Sequence, residues 1–340
     1  MDFRFPAEWE PHKGTWMAWP SNMETWTSQE LILVHEEFAA FISEVSKGEK
    51  VFLLIHSMKE KENILKLLRN SDVLLHNVDF VEYSFNDSWI RDFGPDFFVG
   101  ENYKILNWRY NAWGEKYPPF DADNQFNNWL AGQKSIMTDT IDFVLEGGSV
   151  ELNGAGDLIT TESCLLNPNR NFGYSKAEIE LLLKDKFKIQ NVVWLKKGLE
   201  GDDTDGHVDD MFRFVSESQV VGVNITDTSH SDFDTIQENR MILSNARLSN
   251  GKAIELIDLP AAPILMYRGE QLPASYANFY ISNHAVIVPQ FEHKNDLLAV
   301  EVLRKCFPDR EVIGLSSKSI IIGLGSFHCL SKQQPLLITD

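Results

Sequence analysis

Short apolar runs alternate along this chain with longer segments whose apolar residues follow a helical period. The runs with strand character are VFLLI (51–55), NVVWL (191–195), QVVGVN (219–224), AVIVP (285–289) and SIIIGL (319–324). Helices are predicted after the capping boxes TSQE (27–30) and SKAE (175–178), and near 59–69, 232–247 and 294–306. No linker rich in Pro, Gly or Ser interrupts this alternation. The uninterrupted alternation therefore predicts one continuous α/β domain over residues 1–340.

A weaker pattern repeats on top of this alternation. Five polar motifs each run into a predicted hairpin, at intervals of about 50 to 70 residues. They are SWIRDFGPDFFV, EGGSVELNGAGDLITT, GHVDDMFRFVSESQVVGV, SYANFYISNHAVIVP and GSFHCLSKQQP. This rhythm predicts about five similar ββαβ-like units around a common centre, each offering one motif to it. Sequence identity between the motifs is negligible, so coincidental hairpins are the alternative.

The charge of the chain restricts its partners. Its 50 acidic and 31 basic residues give a formal net charge of -19, which repels phosphate and argues against nucleic-acid binding. The same field attracts small cations, although acidity can also serve solubility alone. No stretch approaches the roughly 18 apolar residues of a membrane span. The first residues, MDFRFPAEWEPHKG, lack the apolar core of a secretory signal, so we expect a cytoplasmic protein without membrane contact.

The three cysteines have no CxxC spacing, which argues against a disulfide framework or a cysteine zinc site. Cys164 and Cys306 are expected to pack in a strand and at a helix end. Cys329, in GSFHC, is either a small buried hydrophobe or a thiolate nucleophile. His328 is its neighbour, but successive side chains of an extended segment point to opposite faces. A histidine from elsewhere in the fold is therefore the expected partner.

The best candidate for that partner is His207, which lies in GLEGDDTDGHVDDMF. A calcium loop of EF-hand type is excluded, because placing Gly206 sixth puts Gly201 first and Phe212 twelfth, where carboxylates are needed. A transition-metal site lacks a second histidine at ligand spacing, so we expect no metal. A divalent-metal hydrolase built on this acidic loop is an alternative that a chelator would expose. If the segment is a strand, His207 and Asp209 share one face.

Two further stretches place carboxylates in unusual surroundings. Asp92 lies close to Trp89 in SWIRDFGPDFFV, and Glu146 precedes two glycines in EGGSVELNG. Each could be a structural turn when taken singly. Together, carboxylates can grip a planar guanidinium, a thiolate can attack its carbon, and a histidine can protonate the departing ammonia and then activate water. This set predicts deimination through a covalent intermediate, without a metal or an organic cofactor.

These motifs resemble the agmatine deiminase family, which is related to bacterial peptidylarginine deiminases within the guanidino-group-modifying (pentein) superfamily. The resemblance runs nearly end to end. It is carried by PAEWEPHKGTWMAWP (6–20), WIRDFGP (89–95), YNAWGEKYPPFD (110–121), EGGS (146–149), GDDTDGHVDD (201–210), SYANFY (275–280) and GSFHC with its trailing QQP. It implies a five-bladed α/β propeller with pseudo-fivefold symmetry and an active site on the axis. It also implies hydrolysis of agmatine to N-carbamoylputrescine and ammonia through an amidino-cysteine intermediate, in putrescine and polyamine biosynthesis.

The resemblance also implies roles for individual residues. These are Cys329 as nucleophile, His207 as general acid and base, Asp92 and Asp209 as guanidinium-holding acids, and Glu146 as an assisting glutamate. Asp203 would contact the distal amine, although relatives often have glutamate there. Trp89 and Trp113 are the expected substrate-binding indoles, with core packing as the alternative for Trp113. Lys332 stands where relatives usually have Gln.

Other functions stay open at this level. A deiminase of free arginine or peptidyl-arginine must also accommodate an α-carboxylate or a peptide backbone, usually with a dedicated arginine. Arg91 belongs to the shared pattern and is not spare. A non-catalytic protein that binds guanidino ligands is a further alternative, and a homodimer is a candidate assembly.

Overall fold

The computed structural model describes residues 3–337. Its strands in chain order are β1 (His12–Ala18), β2 (Lys50–Ile55), β3 (Val78–Glu82), β4 (Asp96–Val99), β5 (Tyr103–Arg109), β6 (Met137–Val144), β7 (Val150–Leu152), β8 (Asp157–Thr161), β9 (Asn191–Leu195), β10 (Phe212–Phe214), β11 (Gln219–Asn224), β12 (Glu255–Pro260), β13 (Leu265–Tyr267), β14 (Glu270–Leu272), β15 (Tyr280–Ile281), β16 (Ala285–Gln290), β17 (Glu311–Ser316) and β18 (Lys332–Pro335). Its α-helices are α1 (Ser28–Ser46), α2 (Lys61–Arg69), α3 (Ile90–Phe93), α4 (Ala112–Glu115), α5 (Asp121–Lys134), α6 (Glu162–Leu165), α7 (Pro168–Asn171), α8 (Lys176–Phe187), α9 (Phe233–Asn245) and α10 (Asn295–Cys306).

One strand pattern occurs in five of the sheets. A middle strand pairs antiparallel with the strand on one side and parallel with the strand on the other. A helix connects each parallel pair, as the crossover between parallel strands requires. The units are β4-β5-β6 with α5, β7-β8-β9 with α8, β10-β11-β12 with α9, β15-β16-β17 with α10, and β18-β1-β2 with α1. The predicted α/β class is confirmed.

The unit β18-β1-β2 is assembled from distant parts of the chain. β18 pairs antiparallel with β1, so that Lys332 lies opposite Trp16 and Gln334 opposite Gly14. β3 then extends this sheet by pairing with β2. The prediction of a hairpin in GSFHCLSKQQP is therefore wrong. The strand there finds its partner near the start of the sequence, which local pattern cannot reveal.

The strand predicted at 319–324 is also wrong. Ile320–Gly323 form a short 3-10 turn in which Ile320 and Ile321 are buried. Gly323 lies so close to two indoles that a Cβ there would come 2.5 Å from Trp26 and 2.8 Å from Trp89. A short apolar run fits a turn as well as a strand, because periodicity alone does not separate the two.

The predicted helix starts are confirmed by their caps. Before α1, the Glu30 N–H donates to Thr27 Oγ1 (3.3 Å) and the Thr27 N–H donates to Glu30 Oε2 (2.7 Å). Ser175 and Glu178 make the same reciprocal pair before α8. α1 then buries Phe38 completely against the core, at a gain of about 1.5–3 kcal/mol for such a side chain. Among residues 3–337, no helix combines the length and apolar character needed to cross a bilayer.

Candidate active site

Five loops, each directly before the first strand of a unit, contact one another in succession. α3 leads into β4 and carries Asp92, which accepts a hydrogen bond from the Gly148 N–H (2.8 Å) in the turn before β7. That turn also follows Glu146, whose carboxylate lies within 4.8 Å of a ring nitrogen of His207 in the loop before β10. The first three motifs of the sequence therefore meet through their polar groups.

The remaining contacts close this ring of loops. Asn278, before β15, donates from Nδ2 to Asp210 Oδ1 (2.8 Å) and to Cys329 Sγ (3.1 Å). Cys329 lies before β18, and its carbonyl oxygen accepts from the Arg91 N–H of the first loop (3.1 Å). Asn278 lies in the quoted SYANFY motif, but sequence reasoning gave it no role. Its only sequence signal was its place in the fourth repeat of the rhythm.

Cys329 is held at the meeting point of these loops and opens onto a cavity. Its N–H donates to Asn278 Oδ1 (3.3 Å), and its Sγ lies 3.9 Å from Asp209 Oδ2. The side chain is 8% exposed. Burial, with the nearby carboxyl groups of Asp209 and Asp210, raises the pKa of the thiol well above its ordinary value. An empty site therefore holds a neutral thiol near pH 7.

Asp92 and Asp209 both lie next to Gly148 but have different hydrogen-bond partners. Asp92 accepts from the Trp113 Nε1–H at Oδ2 (2.9 Å) as well as from Gly148. Asp209 Oδ2 is 2.6 Å from His328 Nδ1, while its buried Oδ1 has no hydrogen-bond partner among residues 3–337. Burial raises the pKa of both carboxyl groups, and for Asp209 the neighbouring charge of Asp92 adds to the effect. A cationic ligand would stabilise the ionised form of both carboxyl groups.

His207 is fixed by its backbone and keeps its ring available. Its N–H donates to Asp202 Oδ2 (2.8 Å) and Thr204 Oγ1 (3.1 Å), both from the acidic loop. Nδ1 lies 3.8 Å from Asp92 Oδ1, and the buried Nε2 has no hydrogen-bond partner in the described part of the chain. Burial lowers the pKa of the imidazole, so the ring is a neutral base at neutral pH.

His207 and Asp209 do not lie on a strand, because Val208–Asp210 form a 3-10 turn. The two side chains therefore do not share the face of a strand. They nevertheless both lie next to Gly148. A Cβ on Gly148 would come within 2.6 Å of His207 Nδ1 and 3.0 Å of Asp209 Oδ2 and Asp92 Oδ1. The second glycine after Glu146 is thus needed for the close approach of three site residues.

Glu146 is fully buried behind His207. Arg170 Nε donates to its Oε1 (2.6 Å), and Oε2 has no hydrogen-bond partner among the described residues. Arg170 also reaches Asp205 Oδ2 (2.6 Å), so it ties the Glu146 loop to the acidic loop. Cys164 lies beside Glu146 in α6, not in the predicted strand, whereas Cys306 does end α10.

The cavity in front of Cys329 has a volume of about 690 Å3 and is lined by Trp89, Trp113 and Asp92. Trp113 has a left-handed backbone (φ 57°), which turns its indole nitrogen onto Asp92. Trp89 lies against Gly325, where a Cβ would come 2.5 Å from the indole and 3.0 Å from the Cys329 Cβ. Both predicted indoles therefore border the reacting groups.

Asp203 lines the same cavity on its outer side. Its carboxylate accepts from the Tyr117 hydroxyl and from Lys116 Nζ (3.3 Å). Lys116 also bonds Asp205 (3.0 Å). The sequence did not predict that a lysine partly neutralises the acid expected to receive the substrate amine.

A buried charge network behind the loops was missed by sequence reasoning. His328 Nε2 lies 2.8 Å from Glu8 Oε2, and Glu8 lies 3.0 Å from Arg213 and 3.4 Å from Arg91. The ring of His328 thus contacts carboxylates, in line with the expectation that this neighbour is not the partner of the Cys329 thiol. PAEWEP contained Glu8, but only the fold brings it next to a residue 320 positions later.

Lys332, the departure from the usual glutamine, is buried beside α3. Its Nζ lies 2.6 Å from Asp96 Oδ1 and donates to the Arg91 carbonyl (3.3 Å). A Cβ on Gly147 would come 2.6 Å from this ammonium. Lys332 therefore fills the space between the segments that carry Asp92 and Glu146.

Two groups of buried side chains in the described residues have donor atoms within 4.8 Å of one another. They are Glu146, Cys164 and His207, and Asp209, Asp210 and Cys329. In each group a protein donor already occupies a lone pair: Arg170 on Glu146, and Asn278 on Asp210 and Cys329. We assign no metal to either group, and a metal-free reaction stays a prediction.

Comparison with known proteins identifies a family that covers nearly the whole chain. The sequence profile of the Porphyromonas-type peptidyl-arginine deiminase family matches residues 4–335. The chain belongs to this family. A family relative from Selenomonas ruminantium, named "Putative agmatine deiminase", is 34% identical over 363 residues that cover 98% of this chain and 96% of that protein.

Solved structures agree with this family membership. The agmatine deiminase of Enterococcus faecalis matches with a TM-score of 0.91 at 29% identity, covering 99% of this chain and 96% of that one. A cysteine-to-serine variant of the C. jejuni agmatine deiminase with substrate bound matches with a TM-score of 0.89 at 30% identity, covering 99% and 98%. An amidinotransferase from Microseira wollei, at 12% identity and a TM-score of 0.54, shares the fold alone.

Proposed function

We propose that this protein hydrolyses agmatine to N-carbamoylputrescine and ammonia through a covalent intermediate on Cys329. The observation that carries the proposal is the arrangement at the inner end of the cavity. The Cys329 thiol and the Asp92 carboxylate line that end, with the Asp209 carboxylate next to the thiol and the neutral His207 imidazole next to Asp92. One carboxylate oxygen of Asp209 has no hydrogen-bond partner in the described chain. The relatives named as agmatine deiminases support agmatine as the substrate.

Substrate binding prepares the nucleophile. Asp92 and Asp209 hold the guanidinium by charge-assisted hydrogen bonds, which fix its plane against Cys329. Burial and the neighbouring carboxyl groups raise the pKa of the thiol in the empty site. The positive charge of the guanidinium counters this when it binds, so the thiol loses its proton to His207 most readily in the complex.

The first half of the reaction expels ammonia. The thiolate adds to the guanidinium carbon, and His207 returns the proton to the departing nitrogen, so that ammonia leaves and an amidino-cysteine forms. Glu146 lies beside His207 and stabilises the imidazolium that exists between these two proton transfers.

The second half restores the enzyme. A water molecule takes the position of the ammonia and gives a proton to His207 as its oxygen adds to the same carbon. The carbon–sulfur bond then breaks and the added hydroxyl group loses its proton, which leaves with the ammonia as ammonium, so that the neutral carbamoyl product and the thiolate are released. The thiolate regains its proton from His207, so one water is consumed for each ammonia formed.

The rest of the cavity would receive the aliphatic amine. Trp89 and Trp113 border the inner end, where they can cover the methylene chain, and Asp203 lies on the outer side. Because Lys116 and Tyr117 engage Asp203, we expect it to add only modest affinity for the amine.

The repeated units support a five-bladed α/β propeller with pseudo-fivefold symmetry, built as one domain. Five sheets share one strand pattern, and their leading loops form a closed ring of contacts around the site. A role in polyamine biosynthesis, a cytoplasmic location and a homodimer stay predictions.

The deciding experiment measures ammonia and carbamoyl product from agmatine, free arginine and a peptidyl-arginine. We expect turnover of agmatine that survives a chelator and disappears in Cys329→Ser. Cys306→Ser is the matched control, because that half-buried thiol lies at the end of α10. Agmatine turnover that persists in Cys329→Ser, or none in the wild type, contradicts the proposal. Binding without turnover would instead favour a guanidino-binding protein.

One observation favours a second candidate, a deiminase of arginine or peptidyl-arginine. Arg268, at the tip between β13 and β14, lines the cavity and is exposed. A guanidinium there could pair with an α-carboxylate, which agmatine lacks. For this alternative, Arg268→Gln would reduce turnover of arginine selectively. Under the agmatine proposal, the same variant retains agmatine turnover.

A further inference from the structure

The ring of His328 lies between two carboxylates at hydrogen-bond distance from each. Nδ1 is 2.6 Å from Asp209 Oδ2, and Nε2 is 2.8 Å from Glu8 Oε2. All three side chains are more than nine-tenths buried. Each short contact needs a hydrogen, but a neutral imidazole has one N–H and an ionised carboxylate has none. The trio must therefore carry one proton more than a neutral ring between two carboxylates would have.

The position of Glu8 decides which member cannot hold that extra proton. Two guanidinium groups, Arg213 at 3.0 Å and Arg91 at 3.4 Å, lie on the Glu8 carboxylate. They hold its pKa well below the usual range, so Glu8 is ionised and accepts from Nε2–H. The extra proton then lies between Nδ1 and Asp209, on one atom or the other.

The surroundings of Asp209 place the proton on that carboxyl while the site is empty. Burial raises the pKa of Asp209, and the negative charge of Asp92 raises it further, which outweighs the opposing charges of Arg213 and Arg91. Burial lowers the pKa of His328, and the same two guanidinium groups lower it further, which outweighs the opposing charge of Glu8. Besides Glu8, the charged and titratable groups around the pair are Arg91, Asp92, Asp202, His207, Asp210, Arg213 and Cys329.

We propose that Glu8 and His328 are positioning residues for Asp209, and that His328 takes up the Asp209 proton when a guanidinium binds. This inference rests on the proposed function, since it concerns the same site. A guanidinium against Asp209 requires an ionised carboxylate. The proton crosses from Oδ2 to Nδ1, the O–H bond is replaced by an N–H bond, and no proton leaves the protein. The imidazolium then lies between two carboxylates, and both contacts keep a hydrogen.

The decisive variant is His328→Gln. An amide can accept from a protonated Asp209 and donate to Glu8, so it preserves both contacts of the empty site. It has no basic nitrogen and cannot take up the proton. Binding of a guanidinium to this variant must therefore release about one proton to solvent.

The test uses Cys329→Ser protein, in which agmatine can bind without reacting. Calorimetric titration with agmatine at pH 7, in buffers of different ionisation enthalpy, gives the number of protons released per ligand. We expect His328→Gln to raise that number by about one over the Cys329→Ser parent. In the Cys329 protein, His328→Gln should also move the acid limb of kcat/KM to higher pH, because Asp209 loses its internal base. Equal proton counts in the two proteins would overturn the inference.

His12 supplies the matched control. It is also a buried histidine, with Nδ1 3.2 Å from Glu49 and Nε2 2.7 Å from the Glu8 carbonyl, but it touches no carboxylate of the cavity. His12→Gln should leave the proton count at its parent value even if the protein melts earlier. A change of equal size in His12→Gln would attribute the effect to general loosening of the fold.

A second measurement separates this inference from the proposed function. If Cys329→Ser binds none of agmatine, arginine or guanidinium chloride, the function fails. Nitrogen-15 spectra of the free protein, assigned with His328→Gln, still report the ring. We expect one protonated and one bare nitrogen at pH 6, where an ordinary histidine is mostly charged. A doubly protonated His328 in the free protein would contradict the storage of its proton on Asp209.

Discussion

The inner and outer ends of the cavity use the same residue types in opposite ways. The floor consists of Asp92 and Cys329, which line the cavity, and of Glu146, His207 and Asp209, which lie next to them; each is at most 8% exposed. The mouth is lined by Tyr117, Asp203, Arg268 and Glu270, with Lys116 bonded to Asp203, and the side chains of Lys116 and Asp203 are 29% and 33% exposed. Carboxylates are central to both regions. On the floor the carboxylates are buried, whereas at the mouth Asp203 is partly exposed to solvent and paired with a lysine.

This difference changes what a missing partner means. Three buried atoms of the floor have no hydrogen-bond partner among residues 3–337: Asp209 Oδ1, His207 Nε2 and Glu146 Oε2. Each carries the cost of an unmade hydrogen bond until a ligand or water arrives. At the mouth, Asp203 is already paired with Lys116. Charge interactions are strong where water is excluded and weak where it is present. We therefore expect chemistry to depend on the floor and affinity to be tuned at the mouth.

The largest expected effect comes from Asp92→Asn. The change removes one buried charge that grips the guanidinium, at a cost of about 3 kcal/mol or more, which is at least about a hundredfold in kcat/KM. The melting temperature should stay within a few degrees, because the amide oxygen can still accept from Gly148 or Trp113. Asp142→Asn, at a surface carboxylate that is 89% exposed, is the control. A large drop in melting temperature would mark Asp92 as structural.

Next in size is the stability effect of Lys332→Met. It leaves Asp96 buried without its cation, which costs about 3–5 kcal/mol of unfolding free energy. Urea titration measures this cost. The double variant Lys332→Met/Asp96→Asn should recover much of it, since no uncompensated charge then remains. If the single and double variants unfold alike, the buried ion pair does not support the floor.

A smaller effect concerns the reactivity of the thiol. Asp210 is one of the charges that raise the pKa of Cys329, so Asp210→Asn should lower that pKa and increase the thiolate fraction at pH 7. A decrease of one pKa unit speeds alkylation by iodoacetamide about tenfold. Rates in the wild type should continue to rise with pH past 9. A wild-type rate that levels off below pH 8 would show that the carboxylates do not control the thiol.

The smallest expected effect belongs to Asp203→Asn at the mouth. Because the acid is partly exposed and already paired with Lys116, its loss should raise KM for agmatine about two- to fivefold and leave kcat unchanged. Lys116→Met should lower KM by freeing Asp203 for the amine. A hundredfold rise in KM for Asp203→Asn would place the mouth with the floor and remove the contrast between them.

Local features of the sequence were predicted well because their causes are local. The capping boxes at Thr27 and Ser175 fix helix starts through contacts three residues apart. Residues 320–323 were predicted to lie in a strand but form a turn, and Cys164 was predicted to lie in a strand but lies in α6. Apolar residues in both places are buried from several sides, so period and propensity do not distinguish strand from turn or helix.

The candidate site likewise contains residues that could be predicted from local motifs and residues that could not. The sequence named the five floor residues through its motifs and the family resemblance, and the fold brings their side chains together. Asn278, Glu8 and the contacts of His328 could not be predicted. Asn278 connects Asp210 with Cys329 only after the fourth and fifth loops meet. Glu8 reaches His328 from the far end of the chain.

By itself, the sequence determined which chemical groups each loop offers and where most helices and strands begin, because these follow from residue type and near neighbours. Only the tertiary structure decided which of those groups remain unpaired. Within the described part of the chain, one oxygen of Asp209 and one ring nitrogen of His207 have no hydrogen-bond partner, whereas Asp203 is bonded to Lys116. Hydrogen-bond capacity and burial belong to the assembled set of side chains. The proton held between Asp209 and His328 is therefore a property of the fold, not of either motif.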